Sequence, residues 1–178
     1  YYETHGEMLI KNGLCYPPHE VKYEQSIVAP AVNYLFQLYE LTGKILYLEE
    51  GKKQLAVLVL FNGHQPDFHM YENAVRHWDG YWFGKYKNLG DTFPHYWSSL
   101  SGVAFREYEK ITGERSYGVK AENSLRGVLS MINSDGSASC AYVYPFMVNN
   151  VRCQYADPWA NDQDWALYYY LKEGKNYD

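Results

Sequence analysis

The chain repeats itself, and this constrains its fold more than anything else in the sequence. "ELTGKILYLEEGKKQLAVLV" begins at Glu40 and "KITGERSYGVKAENSLRGVL" begins at Lys110. Thr42-Gly43 matches Thr112-Gly113, Tyr47 matches Tyr117 and Leu55 matches Leu125, every pair at an offset of 70. Gly51 aligns with the equally small Ala121. Identities that share one offset and fall on turn and core positions mark a repeated supersecondary unit.

The unit reads as helix, glycine turn, helix. In the first copy, Val28, Ala31, Leu35 and Leu38 form one stripe, which predicts a helix over residues 26–41. Gly43 stops it as a left-handed cap. A second helix follows over residues 47–60, with Tyr47, Gly51, Leu55 and Leu58 or Val59 inward. The second copy runs over residues 95–111 with Leu100, Ala104, Tyr108 and Ile111 inward. It turns at Gly113 and continues with Tyr117, Ala121, Leu125 and Val128 or Leu129. Further helices are expected near residues 5–14 and 162–171. The fold class is therefore all-α, a single domain of antiparallel helical hairpins over residues 1–178. Long aromatic connections over residues 15–25, 62–93 and 134–161 each join the second helix of one hairpin to the first helix of the next. They should gather on one face; connections of this length in a compact domain are usually functional or disordered, and the rings and few serines here argue against disorder.

Composition narrows the function. The formal charge is -5 with no basic run, which argues against nucleic acid. No apolar window is long enough to predict a membrane span. The three cysteines, Cys15, Cys140 and Cys153, form no CxxC, against a disulfide scaffold or a zinc ribbon. A Cys140–Cys153 bridge and two reduced thiols both stay open. With neither an initiator Met nor a signal peptide, the chain reads as a mature product, one domain or a fragment. The 20 tyrosines and 5 tryptophans offer flat apolar faces with polar tips, which suits polar ligands.

Helical hairpins with Thr-Gly…Tyr turns and long aromatic loops, with "WFGKYKNLGDTFPHYWS" and "DPWANDQDWAL" among them, resemble the six-hairpin (α/α)-toroid carbohydrate enzymes. These comprise glycoside hydrolases and uronate-directed polysaccharide lyases. A full toroid needs more hairpins than this chain has room for. The resemblance thus implies the C-terminal half of a longer enzyme, with the remaining half of the toroid or other domains of the full-length chain as partners. It also implies a polysaccharide or oligosaccharide substrate and an extracellular or periplasmic location. No cofactor and no metal is expected.

The richest site candidate runs from His77 to Leu100. Trp78, Tyr81, Trp82, Phe83, Tyr96 and Trp97 are sugar platforms, because pyranose C–H faces pack on rings as other apolar surfaces do. Lys85 or Lys87 would hold a uronate carboxylate. Some of these rings must also glue the loop to the helices. Asp79 and Asp91 are the carboxylates that glycoside hydrolysis wants across a scissile bond, one protonated and one ionised. Asp79 is equally a turn residue, and Asp91 equally a helix N-cap with Pro94 in the first turn. Hydrolysis by Asp79 and Asp91 is the first expectation. The second is β-elimination, which needs a base and an acid, met by His95 and by Tyr81 or Tyr96. The third is a non-catalytic glycan-binding helical module.

A second candidate is "YVYPFMVNNVRCQYADPWANDQDWAL". Tyr142 and Tyr144 alternate about Val143, which predicts a short extended segment. Arg152 suits bidentate carboxylate binding. Asp157, Trp159 and Asn161 are ligand candidates, whereas Asp162 or Asp164 caps the last helix and Trp165 is core. His19, Glu20 and Tyr23 join the same face. His64, Asp67 and His69 lack helical ligand spacing and a fourth ligand, so they read as a solvated loop.

Overall fold

The computed structural model describes residues 1–13, 25–61, 91–139, 141–144, 147–148, 150–152 and 163–174, with the backbone alone in the strands. Six helices are present among them: α1 (Tyr2–Asn12), α2 (Gln25–Thr42), α3 (Ile45–Val59), α4 (Ser98–Thr112), α5 (Arg115–Gly127) and α6 (Gln163–Glu173). A 3-10 turn, Val128–Met131, extends α5. The architecture is an all-α array of antiparallel helical hairpins, as a partial (α/α) toroid requires. Among the described residues two small ribbons decorate it: β1 (Asp91–His95) with β2 (Ala141–Tyr144), and β3 (Met147–Val148) with β4 (Val151–Arg152).

The repeat is visible bond for bond. Gly43 and Gly113 sit at φ 67° and 76°, the left-handed region that only glycine enters without a steric penalty. Each donates its N–H over 2.7 Å to a carbonyl four residues back, Tyr39 and Glu109, which stand 70 apart. The threonine before each glycine donates its hydroxyl to a carbonyl one turn back, Leu38 for Thr42 and Tyr108 for Thr112. Each threonine oxygen then accepts the N–H of the residue after the glycine, Lys44 or Glu114. The Thr-Gly pair thus satisfies the backbone groups that two abutting helix ends would leave orphaned.

The core follows the predicted stripes. Val28, Ala31, Leu35 and Leu38 of α2 are buried, as are Tyr47, Leu55 and Leu58 of α3. Leu58 takes the inward position and Val59 is half-buried. In the second hairpin Ala104, Tyr108, Ala121, Leu125 and Val128 are buried, with Leu100, Ile111 and Tyr117 packed at the edge. Gly51 lies against the Phe36 ring, where an added Cβ would come within 2.5 Å of Cε1. In the second hairpin the close approach moves to Gly102, which faces Leu125 and the Ala121 carbonyl.

Contacts set the helix directions. Glu3 of α1 pairs with Lys44 at the α2–α3 turn, 2.6 Å away. Ala166 of α6 packs beside Tyr96, and Glu173 bonds Lys110 near the end of α4. Hence α2, α4 and α6 run one way and α1, α3 and α5 the other. The tight turns occupy one end of the array. The ends joined by the long connections occupy the opposite end.

One boundary corrects the sequence reading. Residues 95–97 do not begin the helix. Asp91–His95 is a strand, α4 starts at Ser98 and Trp97 is its N-terminal flanking residue, so Asp91 is not the helix N-cap. The Asp…Pro spacing looks like a helix start locally. The strand pairs instead with a segment about 50 residues away, which no local pattern reveals.

Candidate functional site

The loop-bearing end is built on the first residues of α2 and α4. Gln25 opens α2 fully buried, and its Nε2 donates to Ser101 Oγ of α4 over 2.6 Å. Asn33, two turns further on, donates to the Leu100 carbonyl over 3.1 Å. Two carboxamides of one hairpin thereby grip adjacent residues of the other. Ser98, Ser99 and Ser101 are all buried, and their small size lets α4 approach. Gln25 Oε1 and Asn33 Oδ1 are buried with no hydrogen-bond partner among the described residues.

Just before α4, Tyr96 and Trp97 meet edge-on at 6.0 Å. Tyr96 is 6 % exposed and packs with Val128, Met131 and Ala166, while Trp97 is half-buried against the same cluster. The cluster therefore draws together the foot of the first candidate segment, the end of α5 and the start of α6. The Tyr96 carbonyl accepts both the N–H and the hydroxyl of Ser99, at 3.2 and 2.7 Å. This fixes the chain directly after His95.

The β1–β2 ribbon joins the two candidate segments. Asp91 stands opposite Tyr144, Thr92 opposite Val143 and His95 opposite Ala141. Between Thr92 and His95 the first strand carries an extra residue, a bulge. The extended segment predicted around Tyr142 and Tyr144 is β2. Arg152 closes a tight hairpin, opposite Met147, whose turn includes Asn150 at φ 63°. Asparagine tolerates that left-handed geometry better than most residues.

Of the sequence candidates, Tyr96 and Trp97 are described with their side chains, and Asp91, His95, Tyr144 and Arg152 by backbone position. Asp79, Tyr81, Trp82, Lys85, Asp157, Trp159 and Asn161 lie outside the described residues. So do Trp78, Phe83 and Lys87, the His64, Asp67 and His69 group, the His19, Glu20 and Tyr23 group, and the cysteines. Among the described residues no cluster of three or more His, Cys, Asp or Glu is arranged for a metal. No described helix is long and apolar enough to cross a membrane.

Sequence reasoning missed Gln25. It sits at the predicted boundary between connection and helix, and the repeat was the signal available. Gln25 occupies in the first copy the position of His95 in the second. It also missed Arg106, which is 4 % exposed. Arg106 binds Glu109 at 2.5 Å and Glu122 at 3.2 Å, and donates Nε to the Glu173 carbonyl at the end of α6.

The raised phenol equilibria among the described residues lie away from this end, whereas the lowered carboxyl of Asp135 lies in the connection that follows α5. Burial raises the Tyr47 phenol above its ordinary range, and nearby Glu3 adds to the effect. Burial and neighbouring Tyr108 do the same for Tyr117, its repeat counterpart.

No family model matches the sequence, and no curated protein does. Among solved structures the chain is similar to a polysaccharide lyase, at 54% identity and a TM-score of 0.77, over 96% of this chain and 25% of that one. The chain spans about a quarter of the length of the lyase it matches.

Proposed function

We propose that this chain is part of a polysaccharide lyase, and that its loop-bearing end forms a groove that cleaves a uronate-containing glycan by β-elimination. The observation that carries the reading is the 54% identity to a polysaccharide lyase over nearly the whole chain. Support also comes from the β1–β2 pairing, which ties together the two segments richest in rings and ionisable groups. The likeness favours elimination over the hydrolysis by Asp79 and Asp91 that the sequence first suggested.

In this reading His95 takes the proton alpha to the uronate carboxylate. The electrons of that C–H bond become the new carbon–carbon double bond as the bond to the leaving 4-oxygen breaks. A tyrosine returns a proton to the leaving oxygen. Tyr81 fits this role better than Tyr96, whose buried ring is taken up in packing. Lys85 or Arg152 neutralises the carboxylate and so acidifies the proton to be removed. Trp82, Trp97, Tyr144 and Trp159 are the platforms, with Asp157 and Asn161 bonding hydroxyls. A polymeric substrate of this kind places the enzyme outside the cytoplasm. The rest of the toroid completes the groove from elsewhere in a longer chain.

Incubating the protein with a panel of uronate-containing polysaccharides tests the proposal. Elimination yields an unsaturated uronate that absorbs in the ultraviolet together with each new reducing end. Reducing ends without absorbance would instead assign hydrolysis, and binding without either product would assign a glycan-binding module. His95→Ala should lower elimination about 100-fold or more, and a fully active His95→Ala protein removes His95 from the mechanism.

A further inference from the structure

We propose that Gln25 is a positioning residue for His95, acting through Ser101 and the first turn of α4; this rests on the elimination reading above. The path consists of described contacts. His95 ends β1, and the next carbonyl, that of Tyr96, is held by the N–H and hydroxyl of Ser99. Two residues further along the same turn, Ser101 receives the Gln25 amide at 2.6 Å. The bond spans the contact between the two hairpins at the end that carries the long connections. It therefore sets how far the end of β1 stands from the start of α2.

Stability alone does not account for the pair. Apart from Asn33, which bonds the Leu100 carbonyl, the contact between the hairpins is lined by apolar side chains, among them Val28, Val32, Ala104 and Phe105. At Gln25 a fully buried carboxamide keeps an oxygen with no partner among the described residues, which costs free energy that an apolar side chain would not. When both partners of a buried hydrogen bond become apolar groups of similar shape, stability changes little. A directional bond, unlike an apolar contact, specifies distance and angle. A general base misplaced by about 1 Å loses on the order of 100-fold in rate.

The test is Q25M/S101A in the full-length protein. Its urea midpoint should stay close to wild type, while kcat falls about 10-fold or more and KM holds within about twofold. The His95 ring resonance, followed by NMR across pH, should shift in position in the double variant because its surroundings move. A double variant with wild-type kcat, or with an unmoved His95 resonance, overturns the proposal. Should the double variant fail to fold, S101A alone is read in the same two ways. Wild-type protein assayed alongside keeps the two ideas apart. If it releases reducing ends without an unsaturated product, the elimination reading fails, and the NMR comparison still decides whether Gln25 positions His95.

Discussion

Arg106 shows how much one side chain can hold. The repeat places it where the first hairpin has Phe36, so an apolar position in one copy is a buried cation in the other. Its guanidinium joins α4, α5 and α6 through Glu109, Glu122 and the Glu173 carbonyl. Removing one partner of a buried ion pair leaves charge in a poor solvent. Arg106→Met should therefore cost about 3–5 kcal/mol of stability, read by urea denaturation. At the surface, Asp135 accepts both the hydroxyl and the N–H of Ser137, and these bonds hold its carboxyl below the ordinary 3.8. With the folded value depressed, the contribution is present above the unfolded value and lost as pH falls through the folded one. Ser137→Ala should raise the Asp135 midpoint toward the ordinary value in an NMR titration, and an unmoved midpoint would assign the depression to another cause.

Among elements, the helical hairpins were legible because each turn is made by neighbours in sequence. Thr-Gly supplies the hydroxyl and the left-handed residue, and the stripe of apolar residues supplies the packing face. Gly113→Ala should cost about 1–2 kcal/mol for the positive φ alone, since open space surrounds a Cβ there. Gly51→Ala should cost about 1–3 kcal/mol for a different reason, the displacement of the Phe36 ring. Thermal unfolding of the two variants separates backbone strain from overpacking, because a Phe36→Leu background should relieve Gly51→Ala and leave Gly113→Ala unchanged. The strand β1 was not legible. Asp91, Pro94 and His95 carry helix-start chemistry, and only pairing with residues 141–144 makes them extended. The candidate site was legible as residue types but not as geometry, because an aspartate or a tryptophan in a long connection says nothing of what stands opposite it. Gln25 was hidden for a related reason: its partner lies 76 residues away.

Across the whole molecule, α6 is held at both ends. Ala166 closes the cluster around Tyr96 and Met131, and Arg106 and Lys110 bind Glu173. Deleting residues 163–178 should uncover Tyr96, Val128 and Met131 and take the Glu173 partner from Arg106 and Lys110. The shortened protein should bind a hydrophobic dye and lose near-ultraviolet circular dichroism while far-ultraviolet signal from the two hairpins persists. A truncated protein that unfolds as cooperatively as the parent would show that α6 is dispensable.

The tether on α6 also says where such a chain tolerates a cut. A cut at the Gly43 corner leaves Tyr96, Arg106 and Lys110 on the same piece as α6. A break between the second hairpin and the last helix would separate Tyr96 from Ala166, and with them the footings of both ring-rich segments. Anyone dividing the protein for fragment complementation should part it at Gly43, and should expect halves split at Gly113 or near Asp135 to reassociate only when α6 returns to its place against Tyr96, Arg106 and Lys110.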